Sequence, residues 1–404
     1  MRLLYITAEV PWPLTSGYLR HFHLLTGLSR GHDITHLSLT RRTAVPADAH
    51  DALAPAVDRL EVFGEGRADG LGGGRRALHL RRAARELRSA VARELATGRY
   101  DAVLLSGKDT FPALGAVGDT PLVIDVCDAA SLRLEGELAT ASGKRAVLLR
   151  ARLAEMRHIE RRLTTRTPHL LFASERDREA VGARAGVIVP NGIELDRWTR
   201  ESPLPAGSGI VFSGAMAYRP NDDAARRLVD RVLPLVREQV PDAWVVLAGR
   251  DPLPGLVAAA NDRPEVTVTG TVDDLRPHLE GAAVYCAPLR FAAGIQNKLL
   301  EALAMEIPVV TTPVAAAGLL GGVAEPPLAI ADDDAGLAAA VVRLLQNPAE
   351  RMRLALAGRA HVEHHFSWRT AVAAVEGALE RATAASAATT DPTPTTILST
   401  GDRA

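Results

Sequence analysis

Residues 282–311 read AAVYCAPLRFAAGIQNKLLEALAMEIPVVT, and this stretch decides the fold. Apolar runs at its two ends predict two buried strands. Between them, a loop that contains Gly294 leads into a helix whose first turns carry Lys298 and Glu301. Because parallel strands need a crossover connection, a strand, loop, helix and strand in this order indicate a parallel α/β unit.

The start of that helix has the chemistry of an anion site. Unpaired N–H groups and the positive end of the helix dipole favour a phosphate there, and Lys298 adds a full charge. Glu301 follows on nearly the same helix face, where its carboxylate can accept hydrogen bonds from a diol such as ribose. The pair predicts a nucleotide-sugar site; the alternative is a solvated lysine on an exposed turn. Lysine is rare here, since Lys108, Lys144 and Lys298 are the only three among 47 Lys and Arg residues.

Composition indicates an ordinary globular protein. A chain of 404 residues is long enough for two domains of about 180 residues each. The net charge of −1 gives no indication of nucleic-acid binding. Cys127 and Cys286 lie in apolar runs and are expected to be reduced in a cytoplasmic protein. The first ten residues lack a cleavage pattern, no apolar run could span a bilayer, and no spacing of metal ligands is present.

Strands and helices alternate along the whole chain, which predicts two Rossmann-like domains with parallel sheets facing across a cleft. We expect an N-terminal domain at 1–194, a linker at 195–208 and a C-terminal domain at 209–366. A helix at 367–385 and a disordered tail at 386–404, rich in Thr, Pro and Ala, complete the prediction. A single long helix is expected over 132–163, and 43–73 is expected to be irregular.

Several segments, in this order and spacing, resemble retaining GT-B glycosyltransferases of the large family four, also called group 1. The segments are VPWPLTSGYLRHFHLL (10–25), VPNGIELDRW (189–198), IVFSGAMAYRPN (210–221), PDAWVVLAGRDP (241–252), VTVTGTVDDLRPHLEGAAVYCAPL (266–289), NKLLEALAMEIPVVTT (297–312) and HFSWRTAV (365–372). The resemblance implies a GT-B fold with the donor on the C-terminal domain and a last helix that crosses back to the first. It places the chain in a subgroup with a GIQNK-type donor loop.

The resemblance also implies which residues bind the donor. Glu301 matches the glutamate that holds the ribose, and Lys298 with residues Gly294, Ile295, Gln296 and Asn297 matches the diphosphate-binding turn. Arg219 follows Gly214 where the family places a cation against the phosphates. Further donor residues implied are Gly17 in the first loop, Thr271 and Val272 beside the base, and Arg290. UDP or GDP is the expected nucleotide, with no cofactor and no metal.

Three positions depart from the family pattern. A first glutamate, which usually contacts the transferred sugar, would fall at Ala293. The arginine that often follows the glycine of the second domain's first loop is Ala215, so Arg219 or Arg290 must supply that charge. A first-domain histidine is replaced within VIDVCDAAS, and Asp128 is the residue that takes its place.

Asp128, Lys298 and Arg219 are the predicted catalytic residues. The cations would stabilise the leaving diphosphate, and Asp128 would orient the acceptor or act as its base. The competing interpretation is that Asp128 caps the following helix. Glu9, Trp12, His21 and Asp125 are predicted acceptor contacts; packing or loop-anchoring roles are the alternatives.

We therefore expect a retaining, metal-independent glycosyltransferase that modifies a small-molecule natural product, as in antibiotic biosynthesis, at a hydroxyl, amine or thiol. The alternatives are transfer to a cell-surface polysaccharide or lipid-linked glycan, a nucleotide-sugar 2-epimerase, and a non-catalytic sugar-binding subunit. Basic helices near 75–99 and 144–166 could meet anionic membranes, but glutamates between the arginines favour a solvated face. A monomer or homodimer is expected.

Overall fold

The computed structural model describes residues 1–12, 18–42, 44–66, 73–320 and 325–390. Side chains are described for these ranges except for 73–77 and 389–390. Gly17, a predicted donor contact, therefore lies outside the described residues. Within the described residues, no helix is long and apolar enough to cross a membrane.

The first domain is built on a seven-stranded, fully parallel sheet with the order β3-β2-β1-β4-β5-β6-β7. Its strands are β1 Arg2–Thr7, β2 Asp33–Leu39, β3 Arg59–Phe63, β4 Ala102–Ser106, β5 Leu122–Cys127, β6 Leu170–Phe172 and β7 Val187–Ile188. Its helices are α1 Leu19–Leu28, α2 Ala49–Leu53, α3 Gly73–Ala96, α4 Ala130–Ala139, α5 Gly143–Thr164 and α6 Glu175–Ala180. Helices cover both faces, so the central strands are almost entirely buried.

The second domain has a six-stranded parallel sheet with the order β10-β9-β8-β11-β12-β13. Its strands are β8 Gly209–Ser213, β9 Trp244–Ala248, β10 Val266–Gly270, β11 Val284–Ala287, β12 Val309–Thr311 and β13 Ala329–Ile330. Its helices are α7 Arg219–Arg227, α8 Leu233–Arg237, α9 Pro254–Asn261, α10 Arg276–Glu280, α11 Asn297–Ala304, α12 Pro313–Ala316, α13 Asp334–Gln346 and α14 Pro348–His365. A π-helical turn, Leu228–Val232, joins α7 to α8.

The last helix, α15 Trp368–Thr390, packs on the first domain. Its buried side chains Ala371, Val375 and Leu379 belong to the same apolar cluster as Leu24 and Leu28 of α1. The chain thus crosses between the domains twice, near Gly192 and near Phe366, and Ile193 N–H donates to Phe366 O at 3.0 Å. The two crossings lie side by side, as a hinge requires.

Three local predictions were wrong. The expected single helix over 132–163 is two helices, because the chain turns at 140–142 and restarts at Gly143, which has a φ of +57°. The region expected to be irregular contains α2 and the edge strand β3; the strand alternates polar and apolar residues over only five positions, which is too short a pattern to stand out. Residues 386–390, assigned to the tail, continue α15; 391–404 lie outside the described residues.

Candidate functional site

The loop between β11 and α11 is the donor loop of the sequence analysis. Gly294 has a φ of +61°, a backbone conformation that glycine adopts without strain. Space is tight on both sides of it: a Cβ on Gly318 would lie 2.4 Å from Gly294 O, and a Cβ on Gly294 would lie 2.9 Å from Asp128 Cβ. Gln296 is the N-cap of α11, and its side chain donates to Ala293 O at 3.1 Å. The loop is therefore confined between the two domains.

Lys298 enters the cleft from the first turn of α11. Its ammonium donates to Asn221 Oδ1 and lies 5.5 Å from the centre of the Phe212 ring. Burial lowers the pKa of Lys298 to about 8, although the nearby Glu301 carboxylate raises it. Its hydrogen-bond partner is neutral, which leaves the charge of the ammonium available to an incoming anion.

Glu301 lies one turn further along α11 and is 7% exposed. Burial raises its pKa to about 7, and the opposing charges of Lys298 and Arg197 only partly offset this effect. A lysine and a glutamate one helical turn apart, each with its charged form disfavoured by burial, are typical of a functional site. The predicted juxtaposition of the two groups is present.

Glycine at 214 lets the first loop of the second domain approach Lys298. The φ of Gly214 is +149°, and a Cβ there would lie 2.7 Å from Asn221 Nδ2 and 3.5 Å from Lys298 Cε. Asn221 itself is held by its Nδ2 donating to Ala215 O at 2.9 Å. Sequence reasoning missed Asn221, which positions the lysine; its place after the GAMAYRPN loop was the available signal.

The two predicted arginines are both engaged with carboxylates. Arg290 donates to both oxygens of Asp223, with Nε 2.8 Å from Oδ2. Arg219 Nε lies 3.8 Å from Glu137 Oε2, across the cleft on the first domain. Because the Arg219 contact is longer and involves one carboxylate oxygen, whereas Arg290 binds both oxygens of Asp223, Arg219 is the more readily released of the two. Thr271 and Val272 lie in the turn that follows β10, with Thr271 exposed.

On the first domain, Asp128 is bound by Lys108, which the sequence analysis left without a role. Lys108 Nζ donates to Asp128 Oδ1 at 2.8 Å and to Asp128 O at 2.7 Å. Burial would raise the pKa of Asp128, but Lys108 outweighs it and holds that pKa below its usual range. The alternative that Asp128 caps α4 was wrong: the N-cap is Ala129, whose N–H donates to Asp177 Oδ1.

Asp125 is fully buried, which contradicts its prediction as an acceptor contact. Its carboxylate accepts from Arg20 Nε at 2.9 Å and Nη2 at 2.8 Å, and from Ser106 Oγ at 2.9 Å. Burial alone would raise the pKa of Asp125, but the Arg20 guanidinium has the larger effect, so that the pKa falls to about 2. A carboxylate so enclosed holds the end of β5 rather than a substrate.

His21 is also buried, and it contacts Tyr5 and Ser106 rather than open space. Burial lowers its pKa to about 4, so its imidazole is neutral at pH 7. Glu9 accepts from Thr40 Oγ1 at 2.7 Å and from Arg41 N–H at 2.9 Å. These contacts fit the packing and anchoring alternatives for His21 and Glu9 better than acceptor contact.

Trp12 is partly buried against Phe22, with ring centres 6.2 Å apart. Its carbonyl accepts from Arg42. This residue, too, fits a loop anchor.

Two contacts from the first domain to the donor loop were not predicted. Asp177 Oδ1 accepts from Gly294 N–H at 3.1 Å, and Asn191 Nδ2 donates to Asn297 Oδ1 at 2.9 Å. Asp177 follows Ser174 at the spacing of a capping box, and Asn191 lies in the Pro-Asn-Gly turn; neither pattern points to the other domain. Among the described residues, no group of three His, Cys, Asp or Glu side chains could hold a metal.

A model of the family described as glycosyl transferases group 1 matches residues 207–347. A phosphatidyl-myo-inositol mannosyltransferase of Mycobacterium leprae is 32% identical over 200 residues, which cover 47% of this chain and 52% of that protein. The chain thus spans about half the length of this curated relative. The matched family segment contains Lys298, Glu301, Asn221 and Gly214.

Solved structures similar to nearly the whole chain have the GT-B fold. Sucrose-phosphate synthase from Thermosynechococcus elongatus superposes with a TM-score of 0.71, at 16% identity, over 95% of this chain and 100% of that one. HepE of Anabaena, solved in complex with UDP and glucose, has a TM-score of 0.65 at 15% identity, over 94% and 99%. A UDP-forming trehalose-phosphate synthase from Burkholderia vietnamiensis has 0.64 at 12%, over 95% and 98%. The predicted GT-B fold, two parallel α/β domains, is confirmed.

Proposed function

We propose that this protein is a retaining glycosyltransferase that moves a sugar from a nucleoside diphosphate donor to an acceptor nucleophile without a metal. The observation that carries this proposal is the placement of Lys298 and Glu301 at the start of α11. The Lys298 side chain is half-buried and the Glu301 carboxylate is buried; the two lie one turn apart, near the loop at Gly214, which allows close approach of a ligand. The match of residues 207–347 to group 1 glycosyltransferases supports it.

In this proposal Lys298 neutralises the diphosphate as the sugar–phosphate bond breaks, and Arg219 joins it after leaving Glu137. Charge supplied in a water-poor cleft stabilises the leaving group without a metal ion. The Glu301 carboxylate accepts hydrogen bonds from the ribose hydroxyls, and backbone at Thr271 and Val272 meets the base. UDP is the favoured nucleotide, because the similar HepE structure is in complex with UDP.

Retention follows from attack on the same face from which the diphosphate leaves. The C1–O bond to the diphosphate breaks, the acceptor forms its bond to C1 on that face, and the acceptor's proton passes to a phosphate oxygen. Asp128, which Lys108 keeps ionised, lies against Gly294 of the donor loop. Since its pKa is low, we assign it to orienting the acceptor rather than to removing the proton.

Two acceptor classes are proposed. The arginine-rich composition, typical of GC-rich bacteria, favours a small natural product. A lipid-linked acceptor is the second candidate, because the N-terminal part of α5 exposes Val147 by 64% and Leu148 by 53% next to Lys144 and Arg145. Apolar side chains beside cations suit an anionic membrane surface. The similar protein from Mycobacterium leprae is named for a phosphatidylinositol acceptor.

The first experiment incubates the protein with UDP-glucose, GDP-mannose and other sugar nucleotides, in EDTA, and measures free nucleoside diphosphate and the sugar nucleotide that remains. A transferase releases nucleoside diphosphate, slowly to water and faster with an acceptor. A 2-epimerase converts the sugar nucleotide to its isomer and releases none. A binding subunit gives a thermal shift with the nucleotide but neither product, and that result would reject the proposal.

A second experiment separates the acceptor classes. Vesicles of phosphatidylglycerol and of phosphatidylcholine are compared in flotation assays, with Leu148→Asp as the variant and Leu356→Asp, on an exposed site of α14, as the control. A lipid acceptor requires that the protein float with the anionic vesicles and that Leu148→Asp alone abolish this. Equal flotation of both variants removes support for the membrane surface.

A further inference from the structure

The bend at 294–297 of the donor loop is held at both ends by side chains of the other domain. At its first residue, the Gly294 N–H donates to Asp177 Oδ1 at 3.1 Å. At its last residue, Asn297 Oδ1 accepts from Asn191 Nδ2 at 2.9 Å. We propose that Asp177 and Asn191 are positioning residues which set the shape of the donor loop when the domains close. Donor binding by the C-terminal domain then depends on the N-terminal domain, an inference that rests on the proposed function.

The Asp177 carboxylate accepts hydrogen bonds from two separate backbone segments and from one hydroxyl group. It is 1% exposed; its Oδ1 also accepts from Ala129 N–H at 2.9 Å, and its Oδ2 accepts from Ser174 Oγ. Ala129 directly follows Asp128, the proposed acceptor residue. One buried carboxylate thus ties the acceptor side of the cleft to the donor loop, and opening the cleft would remove one of its N–H donors. Burial already raises the pKa of Asp177, so the loss of a donor is costly.

Asn191 has its amide orientation set by Arg20. Arg20 Nη1 donates to Asn191 Oδ1 at 3.1 Å and to Val189 O at 2.7 Å, while its other nitrogens hold Asp125. A guanidinium has only donors, so the amide oxygen must face Arg20 and the amide nitrogen must face Asn297. The buried Asp125–Arg20 pair thereby acts through Asn191 on the first residue of α11, directly before Lys298.

The loop has little freedom to move independently of these anchors. Gly294 is enclosed by Asp128 on one side and by Gly318 on the other, as the close approaches described above show. A shift at either anchor is therefore transmitted along the bend to the amides and side chains at the start of α11. Domain closure and donor binding then stabilise each other. Coupling between two such events typically changes the affinity for the ligand by about 5- to 150-fold.

The test measures closure and nucleotide affinity on the same full-length variants. Dyes attached through p-acetylphenylalanine at positions 155 and 352, both on exposed helix faces of different domains, report the closed fraction by single-molecule FRET. The variants are Asp177→Ala and Asn191→Ala, with Asp177→Asn as the conservative replacement. Asp333→Ala is the matched control, because it too replaces an aspartate and removes a helix-capping hydrogen bond, but one that lies within the second domain only.

Both alanine variants should lower the closed fraction and weaken UDP binding by about fivefold or more, with the donor KM raised more than kcat is lowered. Asp177→Asn should keep most closure, since it keeps an oxygen that accepts from the two N–H groups. Asp333→Ala should lower the melting temperature and leave the closed fraction unchanged. Alanine variants that lose thermal stability but keep the wild-type closed fraction and UDP affinity would overturn the inference.

Two further outcomes keep this inference separate from the proposed function. If UDP, GDP, dTDP and ADP all fail to bind the wild-type protein, the proposed function fails, while the closed fraction of unliganded variants still decides the role of the anchors. For the second anchor, Asn191→Ala and Asn297→Ala are combined in a double-mutant cycle read out by FRET. Non-additive effects on closure are expected, and strict additivity would reject the contact.

Discussion

The carboxyl ends of the two sheets carry buried charges that are handled in opposite ways. In the first domain, Asp125 is paired with Arg20, and its pKa falls to about 2. In the second domain, Lys298 and Glu301 have pKa values moved by burial to about 8 and about 7, toward their neutral forms. A charge that is paired within the protein stabilises the surrounding backbone. A charge whose ionised form is disfavoured by burial instead favours the binding of a ligand that can pair with it. The comparison predicts stability effects in one domain and activity effects in the other.

The largest expected effect is on stability, at the satisfied pair. Asp125→Ala leaves the Arg20 guanidinium buried without its carboxylate, which should lower the free energy of unfolding by about 3–5 kcal/mol in urea denaturation. Glu86→Ala is the control: it removes an exposed pair with Arg82 on α3, at 2.8 Å, and should cost under about 1 kcal/mol. Equal losses in the two variants would contradict the assignment of Asp125 to structure; Asp125→Asn provides a milder variant if the alanine does not fold.

The next effect is on turnover, at the costly pair. Lys298→Ala should lower kcat/KM by about 100-fold or more, as the loss of a single group that stabilises the leaving diphosphate does. Thermal stability should hold or rise, because a buried ammonium is removed. Lys144→Ala, an exposed lysine on α5, should leave turnover of soluble substrates unchanged. Wild-type activity in Lys298→Ala would show that this residue has no part in the mechanism, and the contrast between the two domains would be lost.

The pH dependence of kcat/KM should sharpen the comparison further. Glu301 must be ionised to accept from ribose, so activity falls as pH drops below about 7; Lys298 must be protonated to hold the diphosphate, so activity falls as pH rises above about 8. One pH unit beyond either limit should cost about tenfold. Glu301→Gln should abolish the acidic limb and move the alkaline limb to lower pH, because the Glu301 carboxylate raises the pKa of Lys298. A flat profile between pH 6 and 9 would contradict the assignment.

The smallest expected effect is on the donor KM, and it distinguishes Arg219 from Arg290, the two arginines predicted to lie beside the donor. Arg219→Ala should raise the donor KM about fivefold, about 1 kcal/mol, because its long contact with Glu137 leaves it free to turn toward the diphosphate. Arg290→Ala should change KM less, because Asp223 binds that guanidinium through both oxygens. Melting temperatures of the two variants control for folding. A larger KM effect in Arg290→Ala would reverse the assignment.

The sequence predicted those features of the fold and the site that depend on a regular pattern of neighbouring residues. The alternation of apolar runs with helices predicted two parallel sheets, and the spacing of Lys298 and Glu301 predicted that they share one helix face. The N-terminal loops were less predictable, because a polar residue at a strand end can either face the cleft or turn inward. Asp125 and His21 turn inward, and only their neighbours in space show it.

By itself, the amino-acid sequence determined the succession of strands and helices and the chemistry at the start of α11, since both depend on residues close together in the chain. Tertiary structure alone decided which charges are satisfied and what holds the donor loop. Arg20 and Asp125 are 105 positions apart, and Asp177 and Gly294 are 117 apart. Contacts of that separation leave no local periodicity. The first exists because α1 packs against the end of β5 within one domain, and the second exists because the two domains bring their strand ends to one cleft.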